Sequence, residues 1–134
     1  MRIEYVVPCK YAEVNDGLAT IVGGGIDTTQ APEFPWRIQV MLAIRIIGQA
    51  SEFPGPHRVR CPVRDSGGST VAEDLDAVIE LGQDAPAHPG GDAWLHNVML
   101  AVGVAFEAPA AGNYTVHVMF DDAEYPVPLY ILGG

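Results

Sequence analysis

Apolar and polar residues alternate along most of the chain, and turn-forming residues interrupt the alternation at short intervals. A period of two puts every second side chain on one face of a strand, so the pattern predicts an all-β protein built from antiparallel pairs. Strands are expected over 2–9, 17–23, 37–47, 57–64, 70–81, 95–106, 113–120 and 125–132. About eight such strands suit an antiparallel two-sheet sandwich, immunoglobulin-like or jelly-roll-like. No long helix is expected.

Segment 70–81 is where a helix competes, because Thr70 with Glu73 could form a capping box and Gly82 could stop a helix. Strand is favoured, since Val71, Leu75, Ala77, Ile79 and Leu81 are spaced for one strand face and "DSGG" (65–68) before them reads as a hairpin turn. Near the C-terminus, "DDAE" reads as the turn of a hairpin that sets Phe120 opposite Tyr125, Val118 opposite Val127, Val116 opposite Leu129 and Tyr114 opposite Ile131. Pro126 and Pro128 lack amide protons on one lateral side, which predicts that the last strand is a sheet edge. Gly112-Asn113-Tyr114 resembles a tyrosine corner. If it is one, strands 95–106 and 113–120 lie in opposite sheets; if not, they pair as a hairpin.

The two longest strands have two readable faces. Strand 37–47 turns Ile38, Val40, Leu42, Ile44 and Ile46 inward and Met41, Ala43 and Ile47 outward. Strand 95–106 turns Val98, Leu100, Val102, Val104 and Phe106 inward and Asn97, Met99, Ala101, Gly103 and Ala105 outward. With Met119 added, the expected exterior is small and apolar, and such a face calls for cover by a partner, a second copy or the Gly/Pro-rich loop 82–94. Met41, Ala43, Met99, Ala101 and Met119 are therefore the candidate interface.

Composition narrows the partners. The 134 residues fit a single domain, 1–134, with one core. A net charge of −10, with Lys10 the only lysine, argues against nucleic acid and anionic membranes. The first twenty residues are broken by Glu4 and Pro8 and read neither as a secretory leader nor as a membrane span, so a cytoplasmic protein with free Cys9 and Cys61 thiols is expected.

Candidate chemistry is sparse. "GGG" at 23–25 ends an apolar run, but no Gly-Lys-Ser/Thr follows and Pro32 and Pro35 oppose a helix, so a turn is expected there rather than a phosphate cradle. His57, His88, His96 and His117 lack metal-ligand spacing, the acidic clusters 73–76 and 121–124 lack a calcium-loop pattern, and no serine sits in a nucleophile elbow. No cofactor and no metal is expected, and the balance leans against an enzyme.

Cys9, Tyr11 and Ala12, then Asp16-Gly17, then Gly23, Gly24, Gly25 and Asp27 resemble the opening of a family of small bacterial proteins catalogued as a domain of unknown function. The closing "APAAGNYTVHVMFDDAEYPVPLYIL" is similar to that family's Gly-x-Tyr strand and acidic hairpin. Where an aromatic is expected after the glycines, this chain has Ile26. The resemblance implies a β-sandwich and names no activity.

Two functions are expected from different classes. The first is a non-catalytic interaction module, self-associating or docking on a protein through the five-residue apolar face. The alternative is a small-molecule or metal-binding domain, with an enzymatic role left open, that uses loop 82–94 and the Gly23–Asp27 loop, with Asp27, His88, Trp94 and His96 at the site.

Overall fold

The computed structural model describes residues 1–73, 75–82 and 95–134. Loop 82–94, apart from Gly82, lies outside them. The described residues form strands and one 3-10 turn, Ala50–Glu52, and contain no α-helix. No helix among them is long and apolar enough to cross a membrane.

Twelve strands are present among the described residues: β1 (Arg2–Cys9), β2 (Tyr11–Asn15), β3 (Leu18–Val22), β4 (Thr28–Ala31), β5 (Trp36–Gly48), β6 (Gly55–Arg60), β7 (Val63–Asp65), β8 (Thr70–Ala72), β9 (Asp76–Leu81), β10 (His96–Ala108), β11 (Gly112–Phe120) and β12 (Ala123–Gly133). One sheet has the order β1-β5-β10; a second has β4-β12-β11-β6-β9, with β7 on β11 and β8 on β7; β2 and β3 pair only with each other. The inward residues of β5, Ile38, Val40, Leu42, Ile44 and Ile46, share one buried cluster with Val116, Val118, Phe120, Val127, Leu129 and Ile131 of the larger sheet. Apolar alternation thus supplies one face of each layer, and burial of those faces against each other is the main driving force.

Several expected boundaries are corrected. Segment 57–64 is two strands, because Pro62 has no amide to donate; Cys61 N–H donates to Leu75 O at 3.1 Å and His117 N–H to Pro62 O at 2.9 Å across the break. Within segment 70–81, Thr70–Ala72 and Asp76–Leu81 are strands, as favoured, but separate ones, β8 and β9. The C-terminal hairpin is shifted by two residues: Phe120 faces Ala123, Val118 faces Tyr125, Val116 faces Val127 and Tyr114 faces Leu129. Its turn is the pair Asp121-Asp122, with Asp121 at φ 51°. An even shift keeps every side chain on its face, so the core was unaffected.

The edge reading of the last strand holds along only part of its length. Pro126 and Pro128 lie on the side of β12 away from β11, but Tyr130 N–H on that same side donates to Asp27 O at 2.8 Å, and β4 then runs parallel to β12 from Tyr130 opposite Thr28 to Gly133 opposite Ala31. Tyr114 resolves the other alternative. β10 and β11 lie in different sheets, and the Tyr114 hydroxyl donates to Ala110 O at 2.6 Å. This pins the connection between sheets four residues upstream. Tyr114→Phe is expected to lower stability by about 1 kcal/mol in urea unfolding; an unchanged midpoint would show that the bond is dispensable.

Candidate functional site

The outer face of the three-stranded sheet is built in rows. Tyr5, Arg45 and Met99 lie side by side across β1, β5 and β10; so do Val7, Ala43 and Ala101, and then Cys9, Met41 and Gly103. The middle row is the smallest in volume. A two-stranded hairpin, β2–β3, lies on it.

The hairpin forms because Asp16 and Gly17 adopt positive φ, 53° and 75°, in a two-residue loop whose twist matches the flanking strands. Ala12 and Ile21, a cross-strand pair, turn inward. Ala12 forms a buried cluster with Cys9 and Ala43, against which Val7, Ile21, Met41 and Ala101 pack. The outward positions carry Tyr11, Val22 and Leu18, which are exposed.

The triple glycine ties the hairpin down. Gly23 and Gly25 take φ of 65° and 91°, conformations a residue with a Cβ resists. At Gly24 a Cβ would come within 3.1 Å of Val7 Cγ1 and 3.2 Å of Ile21 Cγ2. The amides of Gly25 and Ile26 both donate to Pro8 O, at 2.8 and 3.0 Å. These donors serve the chain itself, so the expectation of a turn holds over that of an anion cradle.

The hairpin stops short of the sheet's ends and leaves a cleft on either side. One, of about 620 Å³, is lined by Cys9, Lys10, Ile26, Met41, Gly103 and Ala105, among others. The other, of about 840 Å³, is lined by Tyr5, Asp16, Leu18, Arg45, Asn97 and Met99, among others. Gly103 keeps the first open, because a Cβ there would meet only Met41 Sδ, at 3.3 Å.

The five residues expected to make one interface do not share a surface. Ala43 is fully buried beneath the hairpin, and Met41 and Ala101 pack against the same cluster. Met99 accepts the Tyr5 hydroxyl at 3.8 Å. Met119 belongs to β11 of the other sheet, opposite Arg60 and Glu124. Strand parity reveals a face but not the sheet that owns it.

The alternative site is not gathered either. Asp27 accepts the Thr28 hydroxyl at 3.0 Å and lies near Pro8, whereas His96 is paired with Gly48, beyond the Arg2 end of β1. The eight residues of β1 hold those two ends roughly 20 Å apart. His88 and Trp94 lie outside the described residues. Among the described residues, no group of three His, Cys, Asp or Glu side chains converges for a metal.

Two cysteines and two histidines have structural tasks. Burial pushes the Cys9 thiol up, with only partial relief from the Tyr11 backbone, and pushes Cys61 up to about 12. Both are free and buried, and both are thereby held protonated and poorly nucleophilic. His117 Nδ1 meets Glu124 Oε1 at 2.7 Å on the outer face of the larger sheet. His57 is the residue whose role sequence reasoning missed. It is buried between Asp121 and the Phe53 carbonyl and stacked on Phe120 with ring centroids 5.0 Å apart.

With this geometry in place, the match to known families can be read. The model of DUF6941, a family of unknown function, covers residues 4–131. The chain belongs to that family. The match takes in the hairpin, both clefts and the tyrosine corner, all of which are therefore parts of a DUF6941 domain. No curated protein matches the chain significantly.

Proposed function

We propose that this domain is a non-catalytic binding module that takes a small, largely apolar molecule in the clefts beside the β2–β3 hairpin. The observation that carries the reading is the pair of hollows, about 620 and 840 Å³, where the hairpin fails to cover the sheet. Both fall within the roughly 300–1,000 Å³ range of small-molecule sites. The reading takes the expected alternative function and moves its site from loop 82–94 to the sheet, keeping only Ile26 of the Gly23–Asp27 loop. In it the two larger sheets are the layers of a sandwich of immunoglobulin-like or jelly-roll-like class, a view supported by their shared core and by the Tyr114 corner.

Fragment screening by amide chemical shift tests the proposal. Hits should perturb Met41 and Gly103, or Arg45 and Asn97. Gly103→Val should abolish the first group while leaving the melting temperature nearly unchanged, since the new Cβ meets only the flexible Met41 side chain. Hits scattered elsewhere, or none, would remove the basis for the reading.

A second reading, docking on a protein or on a second copy, is favoured by the exposed hairpin residues Leu18, Val22 and Tyr11. Sedimentation of the same samples separates the two. A concentrated monomer leaves self-association without support, whereas a dimer that Leu18→Ser dissolves would support it.

A further inference from the structure

Resting on the cleft reading, we infer that the 840 Å³ cleft selects a monocarboxylate with an apolar body, and that Arg45 is the residue that receives the carboxylate. Arg45 occupies the middle strand of the sheet, between Ala43 and Ile47 along its own face and beside Tyr5 and Met99 across the sheet. A guanidinium in such a stripe needs acceptors. Its Nε is sealed from solvent and has no hydrogen-bond partner among the described residues, while 37% of its side chain remains exposed along the cleft.

The nearest counter-charge is loosely placed. Glu4 Oε1 lies 3.6 Å from Arg45 Nε, an ion pair but beyond good hydrogen-bond length, and the Glu4 side chain is 39% exposed. Glu4 sits at the irregularity in the pairing of β1 with β5, between Ile3 and Tyr5. No hydrogen bond of good length holds its carboxylate to Arg45. A ligand carboxylate would replace it one for one and present two oxygens to the guanidinium fork.

The surroundings define the rest of the ligand. Leu18, Ile21, Val98 and Met99 give the cleft apolar walls, and Asn97 adds a neutral polar group. The Tyr5 hydroxyl is engaged with Met99. Among the described residues, Glu4 pairs with Arg45 and Asp16 lines the cleft, and both are acidic. With Glu4 replaced, one guanidinium balances one negative charge and Asp16 opposes a second, which disfavours a dianion such as phosphate.

Octanoate, used below its micellar range, is the probe, with octan-1-ol and octylamine as neutral and cationic counterparts. Titration followed by ¹⁵N spectra should move the Arg45 Nε–H signal with octanoate and leave it in place with octan-1-ol. Arg45→Met should weaken octanoate about a hundredfold, the loss expected for two charge-assisted hydrogen bonds, and leave octan-1-ol binding unchanged. Glu4→Gln should tighten octanoate, because a competitor for the guanidinium is gone; a merely structural Arg45–Glu4 pair would not produce that gain.

Equal binding of octanoate and octan-1-ol, insensitive to Arg45→Met, would leave an apolar cleft and overturn the carboxylate assignment alone. Octylamine binding as tightly as octanoate would also overturn it. If no probe perturbs the cleft amides, the assignment falls together with the cleft reading at this site, and the fragment screen at Gly103 then decides whether the wider reading survives.

Discussion

Ala43→Asp is expected to lower the free energy of unfolding by about 3 kcal/mol and to release the β2–β3 hairpin before the rest of the molecule unfolds. Ala43 has no exposed surface and lies between Val7 and Ala101 in the middle row of the sheet. A carboxylate there meets Ala12 and Ile21 overhead, neither of which can accept or donate through its side chain. The hairpin has no strand ladder to either larger sheet; it is tied at its base by Lys10 N–H to Val22 O and by the two amides on Pro8 O. Lifting it is therefore the cheapest way to hydrate the new charge. Hydrogen exchange should rise at residues 11–22 while the β5–β10 amides stay protected. Parallel loss of protection in β5 would mean that the hairpin is an integral part of the core.

What the sequence revealed and what it concealed divide along a physical line. Alternation marks β5, β10, β11 and β12 because their inward residues are large and their outward ones differ, and those faces are the buried ones in the fold. The C-terminal register slipped by two because parity is blind to even shifts; only the positive φ of Asp121, which allows a two-residue turn, decides it. β4, "TTQA", carries no apolar pattern and exists because the far end of β12 offers backbone groups on its open side.

The outer apolar face was legible, yet its cover was not. Ala12, Ala43 and Ala101 meet through small side chains, which leave little mark on a hydrophobic profile, and the Asp16-Gly17 turn was the available signal for a hairpin between β1 and the glycines. An apolar exterior says that something lies on it. Here the occupant is residues 11–22 of the same chain, and the clefts exist because that short cover is smaller than the sheet beneath. Arg45 is hidden in the sequence for a related reason: one charge inside an alternating run reads as an outward residue, and only the third dimension leaves its Nε without a hydrogen-bond acceptor.

Asp121→Asn should reverse the pH dependence of stability and cost about 2 kcal/mol near pH 6. His57 Nδ1 lies 2.6 Å from Asp121 Oδ2 and Nε2 lies 2.5 Å from Phe53 O. Both neighbours are acceptors, so the site favours the cationic ring, with a proton on each nitrogen. Burial works against that charge, but the bonds to Asp121 and the Phe53 carbonyl, together with the charges of Asp121 and Glu80, outweigh it and raise the His57 pKa above 6.5. Burial likewise opposes the Asp121 carboxylate, and the bonds from His57 and the Arg58 amide overcome it and lower its pKa below 3.8. The His57 contribution is therefore complete below pH 6.5 and fades as pH climbs through the raised value; the Asp121 contribution is complete above pH 3.8 and fades as pH drops through the lowered one. Asparagine keeps the acceptor for Arg58 N–H, now 2.9 Å from Oδ1, and still tolerates positive φ, but it turns an N–H₂ toward His57. The ring must then be neutral, its pKa falls below 6.5, and the variant loses stability as pH drops where the parent gains it. The one-third exposure of Asp121 is why the cost stays near the lower end for a charged bond. Urea unfolding at pH 6 and pH 9 checks this: the two proteins should differ most at pH 6 and converge toward pH 9. Parallel profiles would mean that His57 is neutral in the parent and that the clamp carries no charge.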